Sequence, residues 1–236
     1  MPYMTRTDVL QDLASNGRDY SSERLHELAV ELDLLVSDVF VVAGRTPPRH
    51  LLPPARDPKV LRDFTYRVTY CEHDSLAPLE EFVSALASAA PAPTAAQPVE
   101  IEDAPPDAKG FAAILAGLMR NRGFGIYQLP FTGLSLATIR VMLARDSHLR
   151  EQVESMAGPL GWTFDDLAAL ANTPQGPVNN HPGLCRHVGQ VYVAAIPLTT
   201  DQLVVAAREA DRLSGRVDHG MWRPVTLHDA KDRCRA

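Results

Sequence analysis

The sequence predicts an all-α chain of two helical modules joined by a Pro/Ala-rich linker. Three observations predict it. Hydrophobic residues make up 45% of the 236 positions but aromatics only 6%, and Ala and Leu, both good helix formers, dominate the apolar set. Apolar residues recur at helical spacing in several segments. Between the helical segments runs "SAAPAPTAAQPVEIEDAPPDA", residues 88–108. Its prolines fix φ and disfavour helix ahead of them, so it reads as an extended tether. The boundaries are an N-terminal module over 1–87, the linker over 88–108 and a C-terminal module over 109–236.

The N-terminal module opens with a short helix in "TRTDVLQDLASN", then a helix pair in "RLHELAVELDLLVSDVFVVAG", residues 24–44. A shorter Pro-rich stretch, "RTPPRHLLPP", covers 45–54. The helix pair matches "QVESMAGPLGWTFDDLAALAN", residues 152–172, at a constant offset of 128. Leu28 falls on Met156, Ala29 on Ala157, Leu32 on Leu160, Asp38 on Asp166 and Ala43 on Ala171. Ser37 and Thr163 are expected as N-caps, Gly44 and Asn172 as left-handed helix stops. Upstream, Val9 and Leu13 fall on Ile139 and Leu143 if the first loop is two residues longer.

In the C-terminal module, "FAAILAGLMRNR" carries an apolar stripe at 111, 114, 115 and 118. "RGFG" breaks it, and "IYQLPFTG" is expected to be a short second helix closed by Gly133. Ser135 caps a third helix, in which Ile139 and Leu143 face inward while Leu136, Ala137, Arg140 and Val141 face outward. Farther on, "GLCRHVGQVYVAAI" is apolar with an undecided period, helix or buried strand. "PLTTDQLVVAAREADRLSG" is a helix with a Thr199/Gln202 capping box and Gly215 as its stop. The tail from 217 is polar, with Trp222 as a possible anchor.

The stretches "RGFGIYQL", "TGLSLATI" and "LGWTFDDLAALA" resemble the lambda-repressor-like (Cro/C1-type) helix-turn-helix family, especially regulators of actinobacterial type. The resemblance covers 110–172 well and 5–44 partially. It implies a five-helix bundle whose third helix reads DNA. Pro130 departs from the pattern, since the family usually has a small residue there, and the N-terminal copy begins at its third helix.

The chain carries a net charge of −6, so DNA binding must rest on local basic patches. Two exist. Residues 107–150 hold Lys109, Arg120, Arg122, Arg140, Arg145 and Arg150 against Asp107 and Asp146. Residues 45–68 hold Arg45, Arg49, Arg56, Lys59, Arg62 and Arg67 against Asp57 and Asp63. On this reading Arg120, Arg122, Arg145 and Arg150 hold phosphates, and Ser135, Ala137, Thr138 and Arg140 face the groove. The expected function is a DNA-binding transcriptional regulator, working as a homodimer because one weakly charged helix reads too little sequence alone. The alternative is a protein–protein adaptor built on the same bundle.

Other chemistry is sparse. Cys71 and His73 in "YCEHD", and His181, Cys185 and His187 in "HPGLCRHV", have a metal-like composition, but Cys-x-His is not the usual zinc spacing. No metal or cofactor is expected. No nucleophile elbow or phosphate loop is present, so no enzymatic activity is expected. Three cysteines make no disulfide framework. Without an apolar signal core or a bilayer-length apolar run, the expected location is the cytoplasm, with no membrane partner.

Overall fold

A computed structural model describes residues 4–89, 109–129, 132–145, 148–176 and 182–215, with the side chains of 182–185 outside the described set. Among these residues there are eleven α-helices and no strand. In order they are α1 (Arg6–Asn16), α2 (Ser22–Glu31), α3 (Val36–Val42), α4 (Pro58–Thr69), α5 (His73–Ser88), α6 (Gly110–Asn121), α7 (Leu136–Ala144), α8 (Arg150–Ala157), α9 (Phe164–Leu170), α10 (Pro182–Ala194) and α11 (Thr200–Leu213). The segment left undecided between helix and strand is thus helix α10. Most of the linker, and the tail containing Trp222, lie outside the described residues.

The repeat holds at the level of the backbone. α3 and α9 lie 128 residues apart at both ends. In the turn before α3, Leu32 N–H donates to Leu28 O, Asp33 to Val30 O and Leu34 to Ala29 O. In the turn before α9, Leu160 donates to Met156 O, Gly161 to Gly158 O and Trp162 to Ala157 O. These are the same three bonds at the same offset. The pivot residue is left-handed in both copies, with φ of 49° at Asp33 and 72° at Gly161. Gly44 and Asn172 stop their helices at φ of 65° and 50°, as expected. The capping differs. Thr163 accepts from Asp166 N–H as predicted, but the N-cap of α3 is Leu35 without a side-chain bond. Ser37 is the second residue of α3 and is buried.

The segments on either side of residues 90–108 share one hydrophobic core, running from Leu10 to Ala210. The two modules expected from the linker interlock. α1 packs on α9 and α3 on α6, so each copy of the repeated pair receives a helix from the other half. α4 packs along α11 and α5 along α10. Close approach explains two glycines. A Cβ at Gly117 of α6 would stand 2.4 Å from a Val41 methyl, and one at Gly189 of α10 would stand 1.8 Å from the carbonyl oxygen of Gly158.

Buried polar groups pin this arrangement. Arg122, at the end of α6, gives two guanidinium bonds to Asp38 of α3, at 3.0 and 2.7 Å. Asn121 and the Trp162 indole also donate to Asp38, at 2.8 and 2.9 Å. In the other copy Asp166 accepts from Arg6 at 2.8 Å. Equivalent aspartates are therefore gripped by arginines from opposite halves. Arg56 spans two helix ends, donating to the carbonyls of Arg122 and Ala195. Those carbonyls carry the negative ends of α6 and α10, which suit a cation. Burial lowers the Arg56 pKa to about 10, which leaves it charged at neutral pH.

Candidate nucleic-acid interface

α7 is the helix expected to read DNA, and its setting is partly as predicted. Ser135 caps it by accepting from Thr138 N–H at 3.0 Å, and Gly133 turns the chain into it at φ 79°. Ile139, Met142 and Leu143 are fully buried, holding one face on the core. Ala137, Arg140, Val141, Ala144 and Arg145 are exposed on the other. Leu136, expected outside, is half-buried against the core. By contrast α3 and α9 are nearly all buried, so neither second helix of the repeated pairs can enter a groove.

The preceding helix is not as predicted. "IYQLPFTG" yields no α-helix among the described residues: Ile126–Gln128 is a 3-10 turn and Thr132 is again 3-10, with Pro130 and Phe131 outside them. Gln128 curls back to accept from Gly125 N–H at 2.8 Å and donates to Pro58 O at 3.1 Å. Those bonds tie the turn to the start of α4, and a proline at 130 disfavours helical geometry at Leu129.

The phosphate contacts also need correction. Arg122 is 2% exposed and spent on Asp38 and the Leu118 carbonyl, so it cannot reach a phosphate. Arg150 is engaged as well: it donates to Pro174 O and Gly176 O, lies 3.7 Å from Glu154 and sits over the Phe164 ring. Arg120 is half-buried, and Arg145 is exposed at the end of α7. Of the groove-facing set, Ser135 and Thr138 hydrogen-bond each other at 2.9 Å, so both hydroxyls serve the cap. Ala137 and Arg140 are exposed as expected.

The second basic island is largely structural. Arg45 donates to Tyr20 O and Ser22 Oγ and covers the Phe40 ring. Arg56 is half-buried and tied to two helix ends as described, and Arg67 pairs with Asp63 and Asp211. Arg49, Lys59 and Arg62 remain exposed.

One signal went unread in the sequence. Residues 109–145 contain no Asp or Glu, in a chain with 29 of them. With Arg122 buried, the remaining cations of this stretch are Lys109, Arg120, Arg140 and Arg145. Three apolar side chains stand out nearby in sequence: Tyr127 at 50%, Val141 at 45% and Leu149 at 64% exposed.

The metal-like motifs are brought half together. The His73 and His187 rings stack at 4.8 Å between centroids. Cys71 instead faces the interior, its thiol on the carbonyls of Arg67 and Ala210. The Cys185 side chain and His181 lie outside the described residues, and no metal-holding cluster of three or more His, Cys, Asp or Glu occurs among the described ones. No described helix is long and apolar enough to cross a membrane. Comparison with protein-family models, curated proteins and solved structures finds no match for this chain.

Proposed function

We propose that the chain binds double-stranded DNA through the outward face of α7 and acts as a transcriptional regulator, pairing with a second copy to read two half-sites. The observation that carries this reading is an exposed, side-chain-capped helix inside a 37-residue stretch, 109–145, free of acidic residues. In an acidic chain, such a stretch is where a polyanion approaches with least repulsion. Lys109, Arg120, Arg140 and Arg145 supply the phosphate attraction. Arg140 is also the side chain on the exposed face able to make a bidentate bond to guanine, while Ala137 and Val141 offer methyls to thymine. One arginine discriminates little, which is why a second copy is required.

Binding of a generic duplex at graded salt tests this. Four phosphate contacts give log affinity a slope of roughly −3 to −4 against log salt. Arg145→Ala should lower that slope by about 1, while Arg140→Ala should lower affinity and flatten any base preference. No duplex binding at low salt sinks the proposal.

The exposure of Val141 on α7, with Tyr127 and Leu149 exposed nearby in sequence, favours a second reading, in which the α7 face docks a protein. A face used that way retains its partner as salt rises, and Val141→Asp abolishes binding while Arg145→Ala leaves it intact.

A further inference from the structure

α4 and α11 run parallel. At their starts Asp57 N–H donates to the Thr200 hydroxyl, and farther along Arg67 pairs with Asp211 while the Cys71 thiol reaches Ala210 O. Between them lies a cleft of about 270 Å³, lined by Lys59, Val60, Asp63 and Arg67 from α4 and by Val204, Ala207, Arg208 and Asp211 from α11. That volume is just below the usual range for ligand pockets, roughly 300–1,000 Å³.

The charges in the cleft do not balance. Arg67 takes both carboxylates: its Nε is 2.9 Å from Asp63, and its Nη1 pairs with Asp211. Glu209, the next acid along α11, is held by Arg212 at 2.6 and 2.8 Å. Lys59 and Arg208, one on each helix, are exposed and form no ion pair among the described residues. Two cations thus line one cleft beside an apolar floor of Val60, Val204 and Ala207.

We propose that this cleft binds a small organic carboxylate with a short apolar body, the carboxylate held between Lys59 and Arg208 and the body on Val60, Val204 and Ala207. Asp63 and Asp211 fix Arg67 and close the polar end of the cleft. The site is independent of α7, so it stands or falls apart from DNA binding; in a regulator it is an effector site.

Titrating isovalerate into the full chain, followed by backbone amide NMR, tests the site. The expected result is saturable shifts confined to α4 and α11, with inorganic phosphate, which has no apolar body, binding more weakly. Lys59→Gln and Arg208→Gln should each weaken isovalerate about tenfold, the loss of one charge-assisted bond. Lys59→Arg should retain binding. Both side chains replaced are exposed, and an unchanged circular dichroism spectrum confirms that the fold is kept. Absence of saturable shifts, indifference to both Gln variants, or phosphate binding as tightly as isovalerate would each overturn the proposal.

Discussion

Asp38 and Asp166 are equivalent in the repeat, yet they hold the molecule with different grips. Asp38 takes two bonds from Arg122 and one each from Asn121 and Trp162, all buried. Asp166 takes an arginine that is 42% exposed. Removing one partner of a buried pair leaves the other charge uncompensated, so Asp38→Ala and Arg122→Ala should each cost about 3–5 kcal/mol. Urea unfolding followed by Trp162 fluorescence measures this, and the double variant Asp38→Leu/Arg122→Met should recover most of the loss. Two singles costing under about 1 kcal/mol would show that the network is dispensable. In the sequence Arg122 counts as one more cation of a basic patch. Arginine is almost never fully buried unless paired, and its partner lies 84 residues away. No local pattern carries that pairing. The equivalence of Asp38 and Asp166, by contrast, is legible from the offset alone.

Among the elements, those decided by their own ends were readable. Thr163, Ser135 and Thr199 cap α9, α7 and α11, and Gly133, Gly44, Asn172 and Gly215 take the left-handed turns expected of them. These three caps depend on four or five consecutive residues, so sequence sufficed for them; Ser37, expected to cap α3, lies inside that helix instead. The Ile126–Gln128 turn misled because Gln128 is drawn toward Pro58, a contact that periodicity cannot show. α1 carries a cap with a pH signature. Thr5 donates through its hydroxyl and its backbone N–H to Asp8, at 2.7 and 2.8 Å, and these bonds hold Asp8 below its ordinary 3.8. The unfolded chain therefore binds the proton more readily than the folded one. The cap's contribution is present above that ordinary value and is lost as pH falls through the lowered one. The Val9 amide, bonded to Thr5 O, should exchange faster as the pH drops below about 4, after correction for intrinsic rates. Asp8→Asn should make that protection independent of pH in the same range; an unchanged pH dependence in the variant would assign it to another group.

At the scale of the whole molecule, the Pro/Ala-rich stretch led the sequence reading to two modules, because composition reports how stiff a segment is and not which faces meet across it. The all-helical class, and the triplets α1–α3 and α7–α9, follow from local pattern. Their interlocking follows from long-range fit: Gly117 admitting Val41, Gly189 admitting the Gly158 carbonyl, Arg6 reaching Asp166 and Arg122 reaching Asp38. Each half exposes, when alone, the face that the other half covers. α3 would lose α6, α9 would lose α1, and the paired helices α4–α11 and α5–α10 would be parted. Separate fragments 1–89 and 109–236 should therefore each lack a cooperative thermal transition, and mixing them should restore one in a one-to-one complex. The buried ion pair makes the test specific: Asp38→Ala in the first fragment should weaken reassembly by about a hundredfold or more, the equilibrium equivalent of roughly 3 kcal/mol. A C-terminal fragment that melts cooperatively by itself would instead show α6–α11 to be a complete folding unit, and the helix exchange between the halves to be mere contact.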